Sequence, residues 1–565
     1  MMRNNIQAQT IRKIWMLTRE YGEIAGAGGV KDVSKQLAEC FASVGGCDVR
    51  VVLPLYGFID PAKFDCRLLQ DNLARRPLLF TVDMNYAGQE RREDVRIWTC
   101  RLGGVTVYLP ESDRFREKMD VYTYTPREEA VESWKQAGKG HIDYFAMNIL
   151  LQKGALELMM LLDEHPDVIH CHDGHTALVP ALINECPGLR SYFRRTGCLV
   201  TVHNAGIGYH QEVADLPFAQ AITGLPRHFI ESNCLAAAFD PFLAASRYAL
   251  LNTVSENYAR ELQETDDDRI TGWLGHLLAD RGVVIEGVTN GIDPADFNPS
   301  DPQRAGIAAA FDPADPGDAL AGKKRCKAAL LEAVGRKSPV AGLEIIGTLE
   351  NNSDIPLFTF IGRLSEQKGI DILSAALVGF LRRHPQCQML FLGSGDRLEE
   401  EKLRLLVETK GLAGRVCFFR GFSPLGANQV YAAGDFFVIP SRYEPCGLTD
   451  YIAQLFGNIP IVHHVGGLVK VVDGQTGIAY RGGVADLQEA LERAIVLFGK
   501  PQRLRQMQRD AVLRIQERHT WAQVMKAYLR LYEKARLQRW MSASVSGTDI
   551  PDSTPVITLD NRRQK

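Results

Sequence analysis

Three residues in the C-terminal half have the type and setting to act on a phosphorylated substrate. Arg363 and Lys368 stand in the segment GRLSEQKG, Gly362 to Gly369, and Glu444 stands in SRYEPCGLT, Ser441 to Thr449. Each segment follows an apolar run, Leu357 to Ile361 and Phe436 to Pro440, with the make-up of a buried strand, and each leads into a helix. Side chains so placed lie beyond a strand's carboxyl end, where open α/β sheets bind ligands. Two cations beside a helix N-terminus suit the stabilisation of a departing diphosphate without a required metal. Two further glycine loops, Gly393 to Asp396 and Gly466 to Leu468, also follow strands.

The N-terminal half repeats the arrangement. Ile14 to Leu17 reads as a strand, Gly22 to Gly29 as a glycine-rich turn, the residues from Val30 as a helix, and Val49 to Tyr56 as a second strand. Such a turn is expected to leave the first N–H groups of the helix free for a phosphate or another anion, although its spacing is not the dinucleotide pattern. Val168 to Asp173 and Cys198 to Asn204 are apolar strands that deliver Asp173, His203 and Asn204 at their exits. The run HCHDGH, His170 to His175, invites a metal reading. Strand alternation sets His170 and His172 on one face and Cys171 on the other, with no second ligand set, so local hydrogen bonding is the expectation.

These elements need more than one core, because 565 residues exceed the size at which a single core stops growing. The net charge of −3, from 65 basic and 68 acidic residues, gives no electrostatic reason to expect nucleic acid or an anionic membrane as partner. Twelve cysteines without a Cys-x-x-Cys pair suit reduced core thiols in a cytoplasmic protein. The start, Met1 to Arg12, is polar with scattered charge and no long apolar stretch occurs, so neither a signal peptide nor a membrane span is expected. Gly57 to Lys139 reads as further strands and surface loops, Tyr144 to Leu162 as a helix, and Leu250 to Ser255 and Val283 to Thr289 as strands. Strands and helices alternate again from Leu357, giving a second, mostly parallel sheet.

The ordered series GGVKDV from Gly28, HDGH from His172, TVHN from Thr201, NGID from Asn290, Gly362-Arg363 with EQKG from Glu366, and PSRYEPCGLT from Pro440 resembles bacterial glycogen synthases and plant starch synthases over about Ile14 to Leu537. The resemblance implies an α/β fold of two Rossmann-like domains facing across a cleft (GT-B-type architecture), with the C-terminal helix crossing back to the first domain. The expected division is an acceptor-side domain at 1–295, a junction at 296–355, a nucleotide-sugar-binding domain at 356–515, a return helix at 516–540 and a disordered tail at 541–565. The implied reaction moves glucose from ADP-glucose, or sometimes UDP-glucose, to the non-reducing end of an α-1,4-glucan with retention, without metal or other cofactor. By position, Arg363 and Lys368 would hold the diphosphate, Glu444 would face the donor sugar, and His203 would hydrogen-bond the glucosyl group. Phe422 stands where the family usually has a base-stacking tyrosine, Leu448 and Thr449 would offer N–H groups to phosphate, Glu20 and Asp173 would line the first-domain wall, and Gly28, Gly29 and Asn204 would also bind substrate. Where the family reads Lys-x-Gly-Gly, this chain has Gly26 in place of the lysine, and Lys31, on a helix, is expected to point elsewhere. Phe239 to Ala245 also lacks the usual Asn and Lys, which leaves open a different donor or acceptor, or a weakly active glucan-binding homologue.

Overall fold

The computed structural model describes residues 11–71, 75–338 and 340–545, with the backbone alone for 542–545. The chain divides into two compact units, one holding residues up to 252, 262–286 and those from 525 onward, the other 253–261 and 287–524.

The first unit is built on β1 (Lys13–Leu17), β2 (Asp48–Val52), β3 (Leu79–Asp83), β4 (Arg92–Leu102), β5 (Val105–Glu111), β6 (Val168–His172), β7 (Gly197–Val202) and β8 (Leu250–Thr253). They lie in the order β8-β7-β6-β1-β2-β5-β4, with β3 also paired to β4. The centre, β7-β6-β1-β2-β5, is parallel and its strands are apolar almost throughout, because both faces are covered. The stretch expected to hold loops and extra strands forms an antiparallel extension, β3-β4-β5. There β4 turns Val95 and Ile97 inward and leaves Asp94 and Arg96 exposed, a period of two that fits a sheet wet on one side. Helix α1 (Val30–Ser43) buries Val33, Leu37 and Phe41 at helical spacing, and α2 (Tyr144–Leu161) is buried on most of its circumference.

The second unit holds β9 (Glu344–Leu349), β10 (Leu357–Ile361), β11 (Gln388–Gly393), β12 (Arg415–Arg420), β13 (Phe436–Ile439), β14 (Ile459–His463) and β15 (Ile478–Tyr480), in the order β9-β12-β11-β10-β13-β14-β15. All pairings are parallel except that of the edge strand β9. Its core centres on Phe358, stacked on Phe436 at 5.1 Å and edge-on to Phe380 at 5.5 Å. Flanking helices include α3 (Ala321–Gly335), α4 (Ile370–Arg383), the short α5 (Thr449–Leu455) and α6 (Pro501–Arg518).

Several boundaries move. The segment 296–355, expected as a junction, supplies α3 and β9 to the second unit. Of Val283 to Thr289 only Glu286–Gly287 is a strand. Residues 516–518 finish α6, and the last helix, α7, is Trp521–Val545. The two are separated because the carbonyl of His519 accepts from Ile292 N–H and Thr520 bridges to Ile292. From Met525, α7 belongs to the first unit, where Tyr532 stacks on Phe41 and its hydroxyl lies 2.9 Å from His170 Nδ1. Gly197 permits this seating, since a Cβ there would come within 2.6 Å of the backbone of Arg536. The tail expected to be disordered starts with five helical residues, and its remainder lies outside the described residues.

Candidate active site

In the second sheet, the chain adds β11 and β12 on one side of β10 and β13 to β15 on the other. The loops leaving β10 and β13 therefore part in opposite directions and open a crevice at their carboxyl ends. The segments singled out above are these two loops. Backbone and side chains tie them together: Arg442 N–H donates to Gln367 O at 2.8 Å, and the Arg442 guanidinium grips Asp371 through two bonds of 2.8 and 2.7 Å. Gly369, at φ +66°, lets the first loop lie against Pro440 O, which a Cβ would approach to 2.1 Å. Between the loops, Lys368 Nζ donates to Glu444 Oε2 at 2.6 Å, and the Ser441 hydroxyl donates to the same oxygen at 2.9 Å. Glu444 is buried and Lys368 half-buried, whereas Arg363 is exposed with no hydrogen bond or ion pair among the described residues. The phenyl ring of Phe422, just past β12, is 76 % exposed. The N–H groups of Leu448 and Thr449, at the start of α5, have no acceptor among the described residues.

Sequence reasoning missed the groups that hold the Glu444 loop from behind. Lys470 Nζ donates to the carbonyls of Cys446 and Gly447 and forms an ion pair of 3.1 Å with Asp450. Burial pushes the Asp450 carboxyl up to about 6 against the pull of Lys470. The Ser255 hydroxyl donates to Pro445 O at 2.7 Å, and the Glu261 carboxylate accepts from Gly466 N–H at 2.8 Å. Gly466 and Gly467 pack so tightly on the loop that a Cβ would meet the carbonyl oxygens of Glu444 and Cys446 at 2.0 and 2.2 Å. Among these, Ser255 and Glu261 carry no local signal, since they lie about 200 residues away in sequence.

The first sheet has its own reversal point, between β1 and β6, and Glu20, Asp173, His203 and Asn204 follow β1, β6 and β7. Asp173, in the left-handed region at φ +59°, accepts from the backbone N–H groups of His203 and Asn204. Burial pushes its carboxyl up to about 7. The ring nitrogens His172 Nδ1 and His203 Nε2 lie 2.8 Å apart, so one donates and the other accepts, which fits neutral rings; burial pushes His203 down to about 3. His170 and His172 do share a face, their rings 4.3 Å apart, and among the described residues no group of three or more His, Cys, Asp or Glu is placed to hold a metal.

One expectation for the glycine turn needs correction. Ahead of the helix, the buried Glu20 carboxylate accepts from the N–H groups of Ala27 and Gly28 at 2.7 and 3.0 Å and from the Tyr122 hydroxyl at 2.6 Å. Gly29 serves as the N-cap residue of α1. Lys31 does not point away but folds back over Gly26, where a Cβ would lie 2.3 Å from its Cδ. The space that a side chain at 26 would take is filled by a flexible one, since the first turn of α1 directs side chains back toward the loop.

The raised Asp173 carboxyl sets a pH dependence. Between about pH 4, where an unfolded aspartate ionises, and about pH 7 the folded chain keeps a proton that the unfolded chain has released. This group's contribution is thus complete at low pH and is lost as pH rises through the window. Asp173→Asn, which suits the left-handed backbone, is expected to flatten part of the decline in stability over that range. Denaturant titrations of both proteins across it would show this, and an unchanged slope would count against it.

Two Rossmann-like units, each gathering polar side chains where strand order reverses, give the GT-B fold. The comparisons narrow the class. Residues 13–277 match the family model of the starch synthase catalytic domain and 355–496 that of glycosyl transferases group 1. The glycogen synthase of Geotalea daltonii is 31% identical over 467 residues, covering 81% of this chain and 84% of that one. Glycogen synthase 2 of Geobacter sulfurreducens is 30% identical over 541 residues, covering 93% and 99%. The solved catalytic domain of starch synthase IV from Arabidopsis thaliana, bound to ADP and acarbose, superposes with a TM-score of 0.75 at 24% identity, over 94% of this chain and 100% of that one. The chain belongs to the glycogen synthase and starch synthase family of glucosyltransferases.

Proposed function

We propose that this chain extends an α-1,4-glucan by transferring glucose from ADP-glucose to the non-reducing 4-hydroxyl, with retention of configuration. The observation that carries the reading is the Lys368–Glu444 ion pair at the reversal point of the second sheet, with Arg363 on the same loop as Lys368. An ammonium has three N–H donors, and Glu444 takes one, so two remain for a diphosphate oxygen. Arg363 supplies a second, unengaged cation, and Leu448 and Thr449 supply N–H groups. The acceptor hydroxyl attacks C1 from the face that the diphosphate leaves. The C1–phosphate bond breaks, the new C1–O4 bond forms, and the acceptor's proton passes to the departing phosphate oxygen. Glu444 steadies the positive charge that builds on the sugar. To the first unit we assign contact with the glucosyl group through His203, held by Asp173 and His172, with Glu20 shaping the Gly28-Gly29 turn. Reduced thiols, with all twelve cysteines free, agree with a cytoplasmic site of action.

The test is incorporation of labelled glucose into glycogen from ADP-glucose and, in parallel, UDP-glucose. Transfer from neither donor would overturn the reading. Phe422, as the base platform, predicts that Phe422→Ala raises the donor KM by about tenfold or more with little change in kcat, since aromatic stacking on a base is worth about 1–3 kcal/mol. Phe422→Tyr is expected to retain wild-type KM, and an unchanged KM in the alanine variant would remove Phe422 from the site.

A further inference from the structure

A second cavity, of about 670 Å³, opens in the second unit between α3, α6 and the segment before α3. It lies at the opposite edge of the sheet from the site above. Its lining includes Asp354 and Asp435, which precede β10 and β13, whereas Arg363, Lys368 and Glu444 follow those strands. Four cationic side chains line it, Lys324, Lys327, Arg505 and Arg509, against those two carboxylates, beside Lys323, which burial pushes down to about 7. Arg505 and Arg509 are one turn apart on α6, so that helix turns a pair of like charges into the same space. Such pairs repel and weaken a helix unless an anion answers them.

Most of these side chains are already engaged. Lys323 donates to the carbonyls of Tyr431, Ala432 and Phe456, Lys327 pairs with Asp435 at 2.6 Å, and Arg505 staples the carbonyls of Pro313 and Asp318. Lys324 and Asp354 form only a solvent-exposed pair, with side chains 60% and 74% exposed, which costs little to exchange. Arg509 is different. Its Nε is buried and has no hydrogen-bond partner, and no ion pair engages the side chain among the described residues. A buried guanidinium N–H left unmade is expensive, and the fork geometry of the group matches a phosphate or carboxylate. The rest of the wall, including Leu320, Phe498 and Leu504, is apolar and can cover a ring.

We propose that this cavity is a binding site for a small organic phosphomonoester, its phosphate held by Arg509 and Lys324 and its ring against Leu320, Phe498 and Leu504. Occupancy would be felt at the active site through Asp435. That residue accepts from Lys327 and from Leu357 N–H, and its backbone bonds to both Leu357 and Ile459, so it joins the starts of β10, β13 and β14. The four residues of β13 then span about 13 Å to the Glu444 loop.

The test is calorimetric titration of the intact chain with inorganic phosphate, a hexose 6-phosphate and a nucleoside 5′-monophosphate. Arg509→Gln, Lys324→Gln and Arg363→Ala are titrated alongside. At least one ester is expected to bind more tightly than inorganic phosphate, about tenfold or more weaker in Arg509→Gln, and unchanged in Arg363→Ala. Lys324→Gln is expected to weaken it less, and Arg509→Gln to keep basal transferase activity. Binding by none of the probes, binding that survives Arg509→Gln, or loss in Arg363→Ala alone would overturn the proposal. A cavity without affinity would leave the glucan-synthase reading untouched, because that reading rests on transfer.

Discussion

Replacing Glu444 by alanine is expected to lower kcat by about two to three orders of magnitude, the usual cost of removing one preorganised electrostatic contact with the transition state. Donor KM is expected to change far less, because Lys368 and Arg363 remain to hold the diphosphate. The fold should survive: among the described residues the side chain bonds only to Lys368 and Ser441, and Lys368, at 25 % exposure, can turn to water once its partner is gone. Glu444→Gln separates charge from shape. It can keep the Ser441 bond but has no anion for Lys368 or for the sugar, so it should resemble the alanine variant in kcat. Initial rates with labelled ADP-glucose and glycogen, beside a melting curve, decide the matter. A Glu444→Ala enzyme within about threefold of wild type would remove this carboxylate from the transition state, since that ratio is under 1 kcal/mol.

The second large effect is structural. Lys470→Met is expected to cost about 3–5 kcal/mol of stability, because it leaves the fully buried Asp450 without its counter-charge. The deficit should shrink at lower pH. Burial already holds the Asp450 carboxyl up at about 6, and without Lys470 it rises further. The folded variant thus binds a proton that the unfolded chain has released above about 4. That proton's stabilisation is complete at low pH and is lost as pH rises. Adding Asp450→Asn should recover much of the stability, because no lone charge is then buried. Activity should not recover with it: the carbonyls of Cys446 and Gly447 still lack their donor, and the loop that aims Glu444 loosens. A double variant as unstable as the single one would show that the carbonyl bonds, not the ion pair, hold the loop. Full recovery of activity would show that the loop needs no staple.

Some of this was open to reading along the chain. Buried parallel strands announce themselves as short apolar runs, and the turn that ends each is written in adjacent glycines and polar residues. Hence the strands at Ile14, Val168, Leu357 and Phe436 were legible, as was the placing of Arg363, Lys368, Glu444, Asp173 and His203 at strand exits. The edge strand Glu344–Leu349 was not, because the composition of its surroundings resembles a linker and its pairing with Arg415–Arg420 is made across about 70 residues.

The partners of the site were hidden for the same reason. A glycine turn before a helix shows that N–H groups will be exposed to some anion, but not that Glu20 takes those of Ala27 and Gly28, or that Lys31 folds over Gly26. Nor can spacing show that Lys368 ends on Glu444, that Lys470 holds the loop behind it, or that Ser255 and Glu261 brace it. Sequence by itself determined the residue types, the period of each element and so the sheet edge on which each polar group emerges, because these depend on neighbours along the chain. Tertiary structure alone decided which charge meets which, because a hydrogen bond needs its atoms within about 3 Å and only the packed sheets bring such distant residues that close.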